Sequence, residues 1–198
     1  MKSKLKKLMI VLVGLFVLII IYVKTHPLVF NESFLSHAHC IPQAGMALRM
    51  YAGNHQGQYP SHTNGYGDAL MLLYKAQLHG YYLTGAGYDS SIFEKTLKSG
   101  TGVAEKDCGR VYVQGLCETN NPETVVLYDK IPTPGGDHCH FLNRIFAPLG
   151  REVLFIDGGH RFIRESEWQM FATKQINLLA KEGFTLPQAE KLYSANHK

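Results

Sequence analysis

The 198-residue chain lacks the short motifs that mark the common classes of catalytic site. It has no Gly-x-Ser-x-Gly sequence for a nucleophilic serine, and no phosphate-binding glycine loop between a strand and a helix. Its four cysteines form no Cys-x-x-Cys pair, and no basic stripe interleaved with aromatic residues is present. These absences argue against a thioredoxin-type redox site and against nucleic-acid binding. We therefore expect a protein that is not an enzyme.

The clearest positive feature is an apolar segment near the amino terminus. Leu8–Val23 contains no charged residue, four lysines precede it, and Lys24 follows it. A helix of that length covers about 24 Å, close to the ~30 Å hydrocarbon core of a membrane. We expect 1–24 to be a transmembrane signal anchor with its amino terminus in the cytoplasm, 25–39 a connector, and 40–198 one extracytoplasmic domain. The alternative is a cleaved secretory signal, which gives the same compartment.

Helical periodicity follows the connector. Apolar residues spaced by three and four from Ile41 to Tyr51 predict an amphipathic stem helix that begins near Cys40, with Met46, Ala47 and Met50 widening its apolar face. A second helix is predicted from Asp68, as its cap, to about His79, and a short one around 91–97. Two helices close the chain, each opened by a capping-box sequence, Ser166-x-x-Gln169 and Thr185-x-x-Gln188.

Two pairs of β-strands are predicted between these helical regions. Residues 110–116 and 123–129 are rich in β-branched residues and flank a turn, which is typical of an antiparallel pair. Residues 152–156 and 160–163 flank Asp157-Gly158-Gly159, a sequence that favours a tight hairpin. The sequence therefore predicts an α+β domain with a small antiparallel sheet and carboxyl-terminal helices.

Three segments of the chain resemble a known family. The chain reads GMALRMYAGNHQGQYP over 45–60, YVQGL and PETVVLYD over 112–129, and VLFIDGGHRFI over 153–163. Together they are similar to the prepilin-associated family of bacterial pilin-like and pseudopilin-like proteins, named for a histidine, nine residues and an Asp-Gly. The prepilin cleavage motif is absent, because no glutamate follows Gly14 within the apolar segment. The position ten residues before Asp157 is Ala147, and His138 and His140 lie upstream of it.

The resemblance implies a pilin-like fold and a non-enzymatic function without a cofactor. It implies a protein of the bacterial cell envelope, related to type II secretion pseudopilins, held in the cytoplasmic membrane with its domain on the periplasmic side. Its partners would be other envelope proteins or pilin-like subunits. One alternative is an anchored extracytoplasmic metal-binding protein or metal-dependent hydrolase, with zinc as its cofactor. Another is a ligand-binding module with a pocket lined by residues 82–107, which the resemblance does not cover.

The metal-binding alternative rests on a cluster of histidines in the sequence. In an extended segment His138 and His140 face the same side, and with Asp157 and His160 they supply ligands that zinc accepts. The competing interpretation is a solvated histidine-rich loop.

A disulfide is predicted from strand geometry. If 110–116 is one extended strand, Cys108 and Cys117 lie roughly 25–30 Å apart, beyond the ~7 Å Cα limit for a bridge. A Cys108–Cys139 bridge is preferred, and the alternative is four unpaired thiols.

Overall fold

The computed structural model describes residues 9, 11–18, 21, 41–75, 84–85, 88, 90–100, 103–135 and 147–194. Helices precede and follow a sheet in these residues, which confirms the predicted α+β class. In chain order the elements are α1 (Ile41–Asn54), α2 (Tyr66–Lys75), α3 (Ser90–Lys98), a 3-10 turn (Glu105–Asp107), β1 (Arg110–Tyr112), β2 (Val125–Asp129), β3 (Thr133–Pro134), β4 (Leu149–Phe155), β5 (His160–Arg164), α4 (Glu165–Lys181) and α5 (Leu186–Ser194).

The antiparallel sheet is organised around β4. This strand pairs with β2 at Val153–Phe155, with β3 at Leu149–Gly150, and with β5 over 150–154. β1 extends the sheet by pairing with the other side of β2. Both predicted strand pairs are confirmed. The first strand is shorter than predicted, because regular pairing ends at Tyr112 and the chain turns at Gly115, where φ is +87°.

Helix α1 packs directly on β4 through a face of small and aliphatic residues. The buried positions of α1 are Ile41, Ala44, Gly45, Leu48 and Ala52. Ile41, Ala44 and Leu48 follow the predicted spacing, whereas Met46 and Met50, which were predicted to widen this face, are exposed. A Cβ atom built on Gly45 would lie 2.8 Å from Cδ1 of Leu154, a side chain that is itself 1% exposed. The absence of a side chain at Gly45 therefore sets how closely the helix approaches the sheet.

The carboxyl-terminal helices complete the core through aromatic contacts. Trp168 of α4 and Tyr193 of α5 are buried against Tyr128 of β2, with ring centroids 5.3 Å and 5.2 Å from that tyrosine. Gly183 ends the α4 segment with φ of +96°, as predicted. The capping sequence at Thr185 is also observed, since its backbone N–H donates to Gln188 Oε1 at 3.0 Å.

Three predicted features are wrong. The predicted transmembrane helix is not found: the helices of the described residues are too short or too polar to cross a bilayer. Ser166 does not cap α4, because the helix already begins at Glu165 and Arg164 occupies the cap position without a side-chain bond. Asp68 lies in the first turn of α2 rather than at its cap, since α2 begins at Tyr66.

Two ion pairs of different burial join the strands and helices. Arg110 Nε donates to Asp129 Oδ1 at 3.1 Å, and both side chains are completely buried in the β1–β2 pair. The second carboxylate oxygen of Asp129 accepts the backbone N–H of Glu152 in β4, at 3.2 Å. Asp129 therefore links all three strands. Lys174 and Glu123, by contrast, form a surface pair in which each side chain is 58% exposed.

Replacing Gly45 with alanine should crowd Leu154 and lower the free energy of unfolding. Overpacking a core contact costs roughly 1–3 kcal/mol, which outweighs the ~0.5–1 kcal/mol that alanine gains over glycine within a helix. Gly53 is the matched control, because a Cβ there meets no atom within 4 Å. Urea unfolding should show G45A below and G53A at or above the wild-type midpoint. Equal midpoints for the two variants would contradict the close contact.

The variant Asp129→Asn should lower the free energy of unfolding by about 3–5 kcal/mol, because it leaves the buried Arg110 guanidinium without its counter-charge. The control is Glu123→Gln, which removes one partner of the exposed pair and should leave the urea midpoint unchanged. A loss in D129N no larger than that in E123Q would show that the buried pair contributes nothing.

Candidate functional site

The outer face of α1 carries two exposed methionines. Met46 and Met50 are 65% and 69% exposed and lie one helical turn apart, on the side opposite the residues that pack on β4. Methionine is flexible and polarisable, and it is common on surfaces that bind other proteins. This methionine face, defined as Met46 and Met50, is therefore available for an apolar contact.

Arg49 lies between the two methionines in the sequence, and its side chain reaches the turn of the β4–β5 hairpin. A Cβ atom built on Gly158 would collide with the Arg49 guanidinium, and Gly158 adopts φ of +79°. The turn is held by the Gly159 N–H, which donates to Asp157 Oδ1 at 2.7 Å. Tyr59 also holds the turn, because its hydroxyl donates to the Ile156 carbonyl at 3.2 Å. Glycine at 158 therefore leaves room for the Arg49 guanidinium against the hairpin turn.

Half of the predicted metal ligands lie at this same turn. Asp157 and His160 are both exposed, and His160 begins β5 opposite Leu154. The carboxylate of Asp157 accepts the Gly159 N–H, which gives it a structural role in the turn. His138 and His140 lie outside the described residues, and within the described part no three His, Cys, Asp or Glu side chains form a cluster suited to a metal ion. The four-residue metal site therefore stays a prediction.

Of the two cysteines of the predicted disulfide, Cys108 lies within the described residues and Cys139 does not. Cys108 is completely buried and Cys117 is half-buried, and the two are not bridged to each other. Burial raises the pKa of Cys108 to about 12, and Lys130 opposes this shift, so the group stays a neutral thiol at physiological pH. Cys139 lies outside the described residues, and the Cys108–Cys139 bridge stays a prediction.

A concave surface lies between β1, the 3-10 turn and α5. This α5 groove encloses about 550 Å³. Its floor is formed by the buried side chains of Tyr66, Val111 and Tyr112, and Phe184 and Leu192 form an apolar wall. Its rim is polar and consists of Glu105, Lys106, Gln114, Lys130, Gln188 and Lys191. The groove thus joins an aromatic floor to a rim with three lysines and one glutamate.

Hydrogen bonds join Glu105 of the rim to Tyr66 of the floor. The Tyr66 hydroxyl and Lys130 Nζ both donate to the backbone carbonyl of Glu105, at 3.1 Å and 3.0 Å. The Tyr66 backbone N–H lies 3.4 Å from Glu105 Oε1 and donates to it. Burial raises the pKa of Tyr66, and Cys108 and Glu105 raise it further, so this hydroxyl stays protonated as a donor. The floor of the groove is therefore fixed in position.

The sequence reasoning missed the groove and the role of Arg49. Lys106, Lys130 and Lys191 come from three parts of the chain and share no spacing that predicts their convergence. The one available signal was the segment 82–107, to which the resemblance does not extend and which supplies Glu105 and Lys106. Arg49 belongs to the first segment of the resemblance, and nothing in that segment predicts its contact with the hairpin turn.

The predicted metal site leads to a direct measurement. If His138 and His140 bind zinc, the purified full-length chain should retain one zinc per chain after dialysis, measured by plasma mass spectrometry. His138→Ala together with His140→Ala should then lose it. His55→Ala with His62→Ala is the matched control, because both are exposed histidines outside the predicted site. Zinc at equal levels in both double variants, or absent from the wild type, would contradict the site.

No family model, curated protein or solved structure matches this chain. The pilin-like resemblance therefore stays a prediction carried by the segments 45–60, 112–129 and 153–163.

Proposed function

We propose that this chain is a non-enzymatic, pilin-like protein that acts through protein–protein contacts in the bacterial cell envelope. The observation that carries the proposal is the methionine face of α1, where Met46 and Met50 expose apolar surface while the opposite face packs on the sheet. The partner we propose is another pilin-like subunit that presents an apolar helix. A ridge of side chains four residues apart suits a second helix, because such ridges fit the grooves of a facing helix.

The three segments of the resemblance pack against one another, which supports treating them as one unit. Gly45 of the first segment lies against Leu154 of the third. The Tyr112 hydroxyl, from the second, donates to the Pro60 carbonyl of the first at 2.7 Å. The Tyr59 hydroxyl bonds Ile156 of the third, as described above. These contacts join residues far apart in the chain, 97 positions apart in the case of Tyr59 and Ile156.

The free edge of the sheet is a poorer contact surface than α1. Within the described residues β5 pairs only with β4, so its outer edge is open. That edge carries the exposed side chains of His160, Arg161 and Arg164. Charged residues on an edge strand disfavour the addition of a further strand. The contact is therefore expected through side chains of α1 and not through backbone pairing.

Photo-crosslinking in living cells of the native host tests the proposal. p-Benzoylphenylalanine placed at position 46 or 50 of the full chain should form adducts on irradiation, because an apolar partner covers these positions. Mass spectrometry of the adducts should identify peptides from a helix of a pilin-like protein, a second copy included. Met170 is the matched control, since it is a 75% exposed methionine on α4, away from this face.

Two outcomes would contradict the proposal. One is the absence of adducts at positions 46 and 50 in a chain that accumulates to wild-type levels. The other is the same set of unrelated proteins, at similar yield, from positions 46, 50 and 170.

A further inference from the structure

The methionine face is chemically reactive as well as apolar. The side chains of Met46 and Met50 are 65% and 69% exposed, so an oxidant in solution reaches both thioether sulfurs. Oxidation to methionine sulfoxide turns a flexible apolar side chain into a polar one, and this change disrupts contacts that depend on methionine. Because the two residues lie one helical turn apart, their sulfoxides would form side by side on one face of α1.

Neither of these side chains belongs to the core. Aliphatic and small residues form the face of α1 that packs on β4, namely Ile41, Ala44, Gly45, Leu48 and Ala52. Met71 of α2, in contrast, is a core residue that is only 6% exposed. Oxidation at positions 46 and 50 therefore changes the surface of a folded domain, whereas a sulfoxide at position 71 would put a polar group into the core.

We infer that Met46 and Met50 form one modification site, at which oxidation to the sulfoxides prevents the contact through the methionine face. This inference rests on the proposed function, since it names how that contact is regulated. The oxidant is a two-electron donor of oxygen, of the hypohalous acid or peroxide class. With hypochlorous acid, each sulfur forms a bond to oxygen as the oxygen–chlorine bond breaks. The sulfur loses two electrons, chlorine leaves as chloride, and the hydroxyl proton passes to water.

Binding and oxidation exclude each other at this site. A partner that covers Met46 and Met50 keeps the oxidant from the sulfurs, and sulfoxides on the free chain keep the partner from an apolar contact. Loss of the apolar burial of even one methionine side chain corresponds to a decrease in affinity of about tenfold or more.

Photo-crosslinking before and after oxidation tests the inference in cells of the native host. p-Benzoylphenylalanine is placed at Gln43 or Asn54, exposed positions on the same side of α1, so that both methionines are kept. Adducts with the partner should form in untreated cells and fall about tenfold or more after brief treatment with hypochlorite. Peptide mass spectrometry should find one added oxygen atom on Met46 and one on Met50, and none on Met71.

Leucine variants then locate the effect. In M46L/M50L the adducts should form in untreated cells and persist after hypochlorite, because leucine is close to methionine in volume and has no sulfur. This variant keeps all four cysteines, so an effect of thiol oxidation would still appear in it. M170L is the matched control, because it removes the sulfur of a 75% exposed methionine on α4. Its adducts should be lost after hypochlorite, as in the wild type.

Thermal unfolding of the purified full chain separates a change of the surface from a loss of the fold. Hypochlorite-treated wild type and hypochlorite-treated M46L/M50L should unfold at the same temperature, because the two sulfoxides lie outside the core. A lower unfolding temperature for the treated wild type would overturn the inference, since the loss of adducts would then follow from unfolding.

Three further results would overturn the inference and leave the proposed function standing. They are the absence of sulfoxides at positions 46 and 50 after treatment, adducts that persist when both sulfoxides are present, and an equal loss of adducts in the wild type and M46L/M50L. The absence of adducts from untreated wild type would instead overturn the proposed function, and this inference with it.

Discussion

The close contact of α1 with β4 is the constraint on which the rest of the domain depends. β4 pairs with three other strands, so a helix that covers it covers the centre of the sheet. Gly45 permits the approach, since any side chain there would meet Leu154. The burial of one face of α1 in turn decides which residues remain outside, and these include Met46 and Met50. The surface proposed for partner binding is thus a consequence of the core packing.

Two buried arginines, Arg110 and Arg151, have carboxylate partners within the sheet and on α4. Asp129 joins Arg110 to the backbone of β4, as described above. Arg151 of β4 forms two hydrogen bonds of 3.0 Å to the Glu165 carboxylate at the start of α4, and its guanidinium lies 4.6 Å from the Trp168 ring centroid. Removal of one member of such a pair is costly, because the remaining charge stays out of water. These contacts fix α4 on the sheet and thereby place α5, which forms one wall of the groove.

The methionine face and the α5 groove are suited to different kinds of partner. The methionine face is convex, apolar and carried by one helix, which suits a large partner with a complementary helix. The groove is concave and is assembled from β1, the 3-10 turn and α5, and its volume is that of a small-molecule pocket. Neither surface brings together the nucleophile, base and oxyanion donors that hydrolytic chemistry requires, in the part of the chain that the structure describes.

The sequence by itself determined the elements whose signals come from residues close together in the chain. The apolar spacing of α1, the Asp157-Gly158 hairpin and the Thr185 cap depend on residues within a few positions of one another, so they were predictable. Ser166 failed as a cap because β5 runs directly into α4 at Arg164, a continuity that a four-residue pattern does not contain. The α+β class followed from the order of these elements. Only the tertiary structure decided the depth of α1 on β4, the burial of Arg110 with Asp129, and the convergence of Lys106, Lys130 and Lys191. These features join residues far apart in the chain, and the distances between such residues are set by packing, on which periodicity and composition carry no information.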